Sequence, residues 1–536
     1  MVIFRNIKLP FDAEPGEAFM TALKKAQRLG LKARVEEARI YKKSIDARHR
    51  DRAPSFVYSI SFPCGEKIKF HKKALDEADA TVISDPCEKL KVGSEPLGGR
   101  PVIIGMGPCG MFAALELAEY GYRPIVLERG ADVEKRREAV ERFYRTGVLE
   151  DSNIQFGAGG AGTFSDGKLV TRISDPRCAR VLKQMHDFGA PEEVIYSAKP
   201  HVGTDRLLEV VKHIAARIVS LGGEVRYDSM AEDFEFDAHG VRAVKVGGEY
   251  IETPVLVLAP GHSARDTYEK LAARGVMLEA KPFSVGVRVE HLQSRVDESL
   301  YGSYAGDPHL PVGEYALSYR LGERAVYSFC MCPGGEVVAA ASEDGGVVTN
   351  GMSRYARDGK NANAAIAVSV GAGDFGSSLF DGMNFQRRIE RAAFAAGGGG
   401  YRAPIETVGD FMNSARSGLC EPTNVVPTYM NGNVRVCALD ALVPPFIGDM
   451  LRVGFNVFSR KMECFGDTDA VLTGFETRTS APLRILRNAD CSAVNFANLY
   501  PGGEGAGYAG GITSAAADGL RIAESIITKY APCGDL

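Results

Sequence analysis

The sequence predicts an α/β fold built on a parallel sheet. Two glycine-rich strand–turn–helix segments, one early and one near the end of the chain, carry that prediction. The first is 101–130, PVIIGMGPCGMFAALELAEYGYRPIVLERG. Pro101 to Ile104 is an apolar run of strand length, followed by Gly105-Met-Gly107-Pro-Cys-Gly110 and a helical pattern through Leu117 and Ala118. After a turn at Gly121, a second apolar strand, Pro124 to Leu127, ends on Glu128. Gly105 permits a tight turn, Gly107 lets a pyrophosphate approach the backbone, and Gly110 with Ala114 lets helix and strand pack closely. The helix N-terminus offers unpaired N–H groups and a positive dipole end to phosphates. Glu128, about twenty residues on, is placed to accept both ribose hydroxyls of an adenosine. With strand, helix, second strand and acid all in place, the segment is a Rossmann-like unit for an adenine dinucleotide.

The second segment is 498–528, NLYPGGEGAGYAGGITSAAADGLRIAESIIT, again strand, glycine-rich turn and helix. A chain that returns to one site after so long an excursion suits a flavoprotein of the glutathione-reductase type, whose last helix points its positive end at the flavin and ribityl chain. A simple NAD dehydrogenase has no need of such an element, so FAD is favoured over NAD. Glu504 stands where such proteins carry an acid for a ribityl hydroxyl, and Gly505, Gly511 and Ile512 would line the same turn. A glycine-rich helix–helix contact is the other reading of this segment. Arg129 beside Glu128 is either a 2′-phosphate contact or a surface arginine.

Composition fits a large enzyme. The 536 residues are long for one core, so two or three domains are expected. Hydrophobic content of 45% and charged content of 25% are ordinary for globular proteins. Sixty glycines suit a fold that brings backbone close to a cofactor in several places. The net charge of −4 gives no global pull toward nucleic acid or an anionic membrane. No apolar run reaches the length of a transmembrane helix and no signal-peptide pattern opens the chain. The eleven cysteines lack zinc or ferredoxin spacing, so no metal is expected and the compartment expected is the cytoplasm.

Residues 1–90 form a separate module in this reading: strand Val2 to Pro10, helix Gly16 to Leu29, then β-rich stretches Ala33 to Ile45 and Ser55 to Pro63. The β-α-β-β order suggests a ferredoxin-like α+β domain. Its Lys32 to Arg52 stretch is locally basic, with Lys42, Lys43, Arg48, Arg50 and Arg52. It is either a solvated hairpin face or a nucleic-acid patch, and no RNA-binding signature accompanies it. Residues 91–100 read as a linker. The FAD-binding domain then occupies 101–280 and 486–536, interrupted by a substrate or cap domain over 281–485. Within it, a charged helix is expected over Val133 to Thr146, and the polar run from Gly157 to Lys168 is a loop that can wrap a pyrophosphate. There Gly159, Gly160, Thr163 and Ser165 reach phosphate or flavin edges, and Asp166 and Lys168 add an acid and a cation. A βαβ-like return follows, with helix Asp205 to Leu221 and strands Glu224 to Tyr227 and Gly240 to Val246. Strand Pro254 to Ala259 then ends in Pro260-Gly261-His262-Ser263, again at the cofactor. No second GxGxxG with its strand and acid is present, so no dedicated NAD(P)H domain is expected; NADH or NADPH enters as a transient electron donor.

Six segments together carry a resemblance: GGAGTFSDGKL (159–169), LAPGHSARDT (258–267), GVRVEH (286–291), FCMCPGGEVV (329–338), ETRTSAPLRI (476–485) and LYPGGEGAGYAGGI (499–512). As a set, over nearly the whole chain, they resemble the FAD-dependent dehydrogenase family of bacteria and plastids. The resemblance implies a glutathione-reductase-like FAD fold with an inserted second domain, and it supplies no substrate.

The inserted domain should cover the flavin ring. Arg288, Glu290 and His291 alternate on an expected strand, which puts Arg288 and Glu290 on one face, able to pair, with His291 opposite. Cys330-Met-Cys332 is either a redox pair or two small hydrophobes. Glu476-Thr-Arg478-Thr-Ser480-Ala-Pro482-Leu-Arg484 offers two arginines and two hydroxyls to an anion or to developing charge, or to an interdomain salt bridge. Asn361-Ala-Asn363 and Asn413-Ser-Ala-Arg416 read as polar loops without assigned role. The flavin carries the chemistry and the protein positions it, with Arg478, Arg484 and Arg288 as charge-bearing candidates and His262, His291 and Asp166 as acid/base candidates. The reading is an FAD-dependent oxidoreductase that moves hydride to or from a small, anionic or unsaturated substrate. Two rival readings are an FAD-dependent RNA-modifying enzyme that uses the basic N-terminal module, and a flavin-bound redox partner of another protein.

Overall fold

The computed structural model describes residues 1–48, 52–64, 70–83, 90–238, 240–415 and 418–533. It is a mixed α/β protein. The N-terminal module runs β1 (Val2–Pro10), α1 (Gly16–Arg28), β2 (Arg39–Asp46), β3 (Ser55–Phe62), α2 (Lys72–Glu77) and β4 (Ala80–Val82), in the sheet order β2-β3-β1-β4. The expected β-α-β-β order thus gains a second helix and a fourth strand. Helix α1 buries Ala18, Ala22 and Ala26, one residue every four, and these small side chains let it lie close on the sheet. In the basic hairpin, Arg48 pairs with Asp46, which Lys8 of β1 also reaches, and Lys43 covers the Phe56 ring at 4.2 Å while its carbonyl accepts from Ala198 N. Arg50 lies outside the described residues.

The second unit is a five-stranded parallel sheet. Its strands are β5 (Val102–Ile104), β6 (Ile125–Leu127), β7 (Glu224–Arg226), β8 (Leu256–Leu258) and, from the far end of the chain, the strand Leu499–Pro501, in the order Leu499–Pro501, β8, β5, β6, β7. The three central strands are apolar at every position, as a parallel sheet covered on both faces requires. Helix α3 (Pro108–Glu119) is buried from Cys109 to Ala118, all round its circumference, because sheet and last helix enclose it. That last helix, Ile512–Lys529, crosses α3 so closely that a Cβ at Gly519 would lie 2.1 Å from the Cys109 carbonyl oxygen. Gly240–Val246 does not join this sheet; it pairs with Asp233–Asp237 and Glu249–Glu252 in a separate antiparallel sheet. The expected linker is also tied down: Glu95–Pro96 pairs with Tyr530–Ala531, and Gly93 N donates to the Ile527 carbonyl at 2.8 Å.

The third unit is a mixed seven-stranded sheet whose central strand, Phe283–Leu292, is flanked by Asn361–Val370 and Val471–Glu476. Helix Pro445–Ser459 presents Ile447, Leu451, Phe455 and Phe458 at helical spacing to a core that includes Val285, Val287, Val289 and Ile366. Where the chain passes between the second and third units, Leu278–Ala280 pairs with Leu483–Ile485, so exit and return leave side by side. Among the described residues, no helix is long and apolar enough to cross a membrane.

Candidate functional site

A cleft of about 330 Å³ lies along the carboxyl ends of β5, β6, β8 and Leu499–Pro501, between the parallel sheet and the seven-stranded unit. Ligands of open parallel sheets sit at this edge because the strands end there and glycine turns expose backbone. One wall is built from those turns. Gly160, at φ 64°, faces Gly107, and a Cβ on it would come within 2.8 Å of the Gly107 Cα. Gly505 packs so tightly on the turn at Gly261 that a Cβ would meet the Gly261 carbonyl oxygen at 2.6 Å; the Tyr268 hydroxyl joins the two turns, donating to Gly505 O at 2.7 Å.

Two helices start at this wall, α3 from Gly107 and the last helix from Gly511; both N-caps are glycines, with no side chain to cap the first turn, and α3 opens on Pro108, which has no N–H of its own. Their first N–H groups and positive dipole ends therefore open toward the cleft, a donor set that suits a pyrophosphate. Leu127, Glu128, Arg129 and Ser229 to Ala231 line the cleft where β6 ends. The residues present fit an adenine dinucleotide.

Of the candidates on the cofactor side, Gly105, Gly107, Glu128, Arg129, Gly160, Ser165, Gly261, Glu504, Gly505, Gly511 and Ile512 line the cleft. Gly110, Gly159 and Thr163 do not. Gly110 lies beneath the first turn, where a Cβ would strike the Gly105 carbonyl at 1.9 Å, and Gly159 is packed on Thr163 and Val211. The Thr163 side chain is buried and donates to Ala158 O at 3.3 Å, so its hydroxyl holds the loop. Glu128 is engaged by backbone: it accepts from Met106 N at 2.8 Å, Gly130 N at 3.0 Å and Gly157 N at 2.8 Å. Three of the roughly four acceptor positions of a carboxylate are thus occupied, leaving about one for a ribose hydroxyl. Arg129 pairs with Asp266 at 2.8 Å and lies over the Phe156 ring, which makes it a brace of the adenosine end.

Arg136 escaped the sequence reading. It comes from the charged helix Val133–Thr146, is fully buried, and donates to the carbonyls of Asn153, Ile154, Ala158 and Gly160 at 2.7–3.0 Å. It is the framework of the glycine loop. Its one sequence signal is an arginine on the apolar stripe of an otherwise charged helix.

The opposite wall is made of side chains. Arg478 lines the cleft but is fully engaged: Glu390 takes its guanidinium at 2.9 and 3.1 Å, and Ser342 accepts from it as well. Glu390 also clamps Arg265 of the helix Arg265–Ala273 with two bonds of 2.8 Å, so one buried carboxylate bridges an arginine beside the parallel sheet and one beside the seven-stranded sheet. These two cations hold the Glu390 carboxyl far below the ordinary range against the opposing effect of burial.

Arg288 is wholly buried behind the wall. It pairs with Glu476 at 2.7 Å, not with Glu290, and donates to Cys330 O, Asn350 and Asn363 at 2.7–3.0 Å. Glu290 instead accepts from Thr428 and from Asn361. The expected polar loop 361–363 is therefore part of a strand whose asparagines serve these two buried charges. His291 is buried among Phe465 and Tyr315, away from the cleft; burial drops its pKa to about 4, and it is a core residue. Arg484 sits outside the cleft on the crossover strand, with Glu279 at 3.1 Å. Asp166 is spent on Arg357, at 2.5 and 2.9 Å, and on Ser353, which locks the glycine loop to the seven-stranded unit. Arg416 lies outside the described residues.

His262 and Glu504 meet at the cleft, with Nε2 and Oε1 3.9 Å apart. Burial, with Arg478 and Arg265 nearby, lowers the His262 pKa to about 3 and keeps it neutral. Burial raises Glu504 to about 7 against the opposing pull of Lys281.

Fold and cleft define a dinucleotide-binding protein of flavoprotein type. The family model described as FAD-dependent protein, C-terminal domain-like, matches residues 282–479. A protein of Clostridium beijerinckii (strain ATCC 51743 / NCIMB 8052), described as uncharacterized, is 48% identical over 499 residues, 92% of either chain. The chain belongs to this FAD-dependent protein family, and its cofactor is FAD. Similar solved structures include CtdE in complex with FAD (11% identity, 80% of this chain and 82% of that one, TM-score 0.33). L-proline dehydrogenase from P. horikoshii is another (12% identity, 80% and 93%, TM-score 0.34). At these TM-scores the likenesses carry no argument about domain arrangement or reaction.

Proposed function

We propose that the protein is an FAD-dependent oxidoreductase that exchanges hydride with a small unsaturated or carbonyl compound, with NADH or NADPH as the transient partner in electron transfer. In this reading a glutathione-reductase-type FAD domain is interrupted by a substrate domain over 281–485. FAD supplies hydride exchange at its ring system. The two uncapped helix starts and the turns at Gly107, Gly160 and Gly505 would hold its pyrophosphate, and Glu128 would hold its ribose. Glu504, with a carboxyl near neutrality, holds or yields a proton at Oε1, since a catalytic acid works best with a pKa near the operating pH. Neutral His262 lies 3.9 Å from that carboxyl. Arg478, fixed by Glu390, presents a permanent cation to the cleft without being free to bind an anion bidentately.

The observation that carries the reading is the meeting of an open, donor-lined backbone wall with a proton-active carboxyl in one cleft. The test is the absorption spectrum of the purified protein, followed by anaerobic titration with NADH and NADPH. Flavin bands that bleach on titration are expected; a colourless protein that refuses added FAD would overturn the reading. Glu128→Ala leaves three buried amides without an acceptor, and at about 1 kcal/mol or more for each lost partner it should weaken FAD retention roughly a hundredfold. Unchanged flavin occupancy in that variant would count against the placement.

A further inference from the structure

Cys330 and Cys332 lie where the cap sheet breaks its register. The strand Arg324–Cys332 pairs Phe329 with Ala365 and then Cys332 with Asn363, so three residue steps on one strand face two on the other. This is a β-bulge with one extra residue, and Cys330 within it has a left-handed φ of 44°. In a regular strand, residues i and i+2 have Cα atoms about 6.6 Å apart, at the upper limit for a disulfide. The bulge turns the backbone at the first cysteine, and the Cys332 thiol reaches the Cys330 carbonyl.

The two thiols are not equivalent. Cys330 lines the cleft, together with Glu504 and Lys168, whereas Cys332 is fully buried behind it with its thiol directed to the Cys330 carbonyl at 3.3 Å. The wholly buried Arg288 guanidinium donates to that same carbonyl at 2.9 Å, which fixes a cation beside the pair. The neighbouring Cys332 thiol, then Arg288, pulls Cys330 below the ordinary thiol range; its partner thiol and burial push Cys332 up. A thiolate-prone sulfur at the cleft with a protonated sulfur behind it is the division of labour that thiol–disulfide exchange requires.

We propose that Cys330 and Cys332 are a redox-active dithiol on the wall of the flavin cleft, and that the pair exchanges with low-molecular-weight disulfides. The Cys330 thiolate attacks one sulfur of a disulfide R–S–S–R′: the Cys330–S–S–R bond forms, the S–S bond of the substrate breaks, and R′S⁻ leaves. Cys332 then attacks Cys330 Sγ, the intrachain disulfide forms, and RS⁻ leaves. The two protons given up by the cysteines pass to the departing thiolates, with Glu504 in the same cleft as the carrier. FAD, when bound and reduced, would supply the two electrons and two protons that restore both thiols, with a reduced nicotinamide dinucleotide as the ultimate reductant. The return step rests on the function proposed above; the exchange step does not.

The test reads the cysteines directly. Trypsin releases residues 325–354 as one peptide that contains Cys330 and Cys332 and no other cysteine. The reduced, flavin-loaded protein is treated anaerobically with hydroxyethyl disulfide, alkylated with iodoacetamide, digested and weighed. In the native chain the peptide should escape alkylation and be lighter by two hydrogens than its dithiol form. Cys332→Ser should trap the mercaptoethanol adduct on Cys330, and Cys330→Ser should give neither adduct nor cross-link. A fully alkylated native peptide, or a Cys332→Ser protein that retains flavin yet forms no adduct, overturns the proposal. The flavin spectrum of the same samples separates the two ideas: cross-linking without bound flavin sinks the oxidoreductase reading alone, and bound flavin without cross-linking sinks the dithiol alone.

Discussion

The two walls of the cleft are built from different materials. The sheet-side wall is backbone: glycine turns at 105–110, 157–162 and 502–507, with two helix starts between them. The opposite wall is backed by charge: Arg288 pairs with Glu476, and Arg478 with Glu390, which also takes Arg265 from the sheet side; all of these are buried. A backbone wall places donors with little side-chain entropy to lose and suits a cofactor that stays. A wall of buried ion pairs stands only while every partner is present, because desolvation of each charge is offset only by its neighbour. The comparison teaches that charged residues at a cleft need not be free to act; most of those opposite the glycine turns hold the wall itself.

The largest expected effect comes from removing the central carboxylate. Glu390→Ala removes the more deeply buried of the two carboxylates that Arg265 and Arg478 share, leaving them Glu343, and denaturant unfolding should show a loss of about 3 kcal/mol. A loss under about 1 kcal/mol would mean that the bridge does not join the domains.

A middle-sized effect concerns Glu504, an acid that lines the cleft beside His262. Its native pKa of about 7 lies above its unfolded value of 4.5, so between these values the native protein binds the extra proton. The contribution of Glu504 is therefore fully present below pH 4.5 and is lost as pH rises through 7. The stability difference between native protein and Glu504→Gln should shift by about 1–3 kcal/mol across that window, with the native chain losing ground as pH rises. A difference independent of pH would place the Glu504 carboxyl in solvent.

The smallest effect is expected from Arg484→Ala. Its partner Glu279 is half exposed, and such pairs contribute about 0–1 kcal/mol, so stability and flavin content should barely move. A large loss of flavin would return Arg484 to the site.

Arg478 and Arg484 show what was legible in the sequence. Six residues apart in one motif, they read alike, yet one lies at the cleft in a three-residue charge bridge and the other on the outer crossover strand. Likewise, period two put Arg288 and Glu290 on one face, but each found a partner on another strand, Glu476 for Arg288 and Asn361 for Glu290. His291 gave no sign in one dimension that aromatic rings would enclose it.

By itself the sequence determined the dinucleotide unit, its elements from Val102 to Leu127, the return of the chain at 499–512 and the N-terminal β-α-β-β start. These are local: a glycine forced by a turn or a close approach leaves its mark at its own position, and hydrophobic period reports burial within one element. Only the tertiary structure decided which charges pair, that Arg136 frames the glycine loop, and that the bulge sets Cys330 at the cleft with Cys332 behind it. Those depend on contacts between strands and helices far apart in the chain, and a buried charge or thiol takes its character from the partner brought to it.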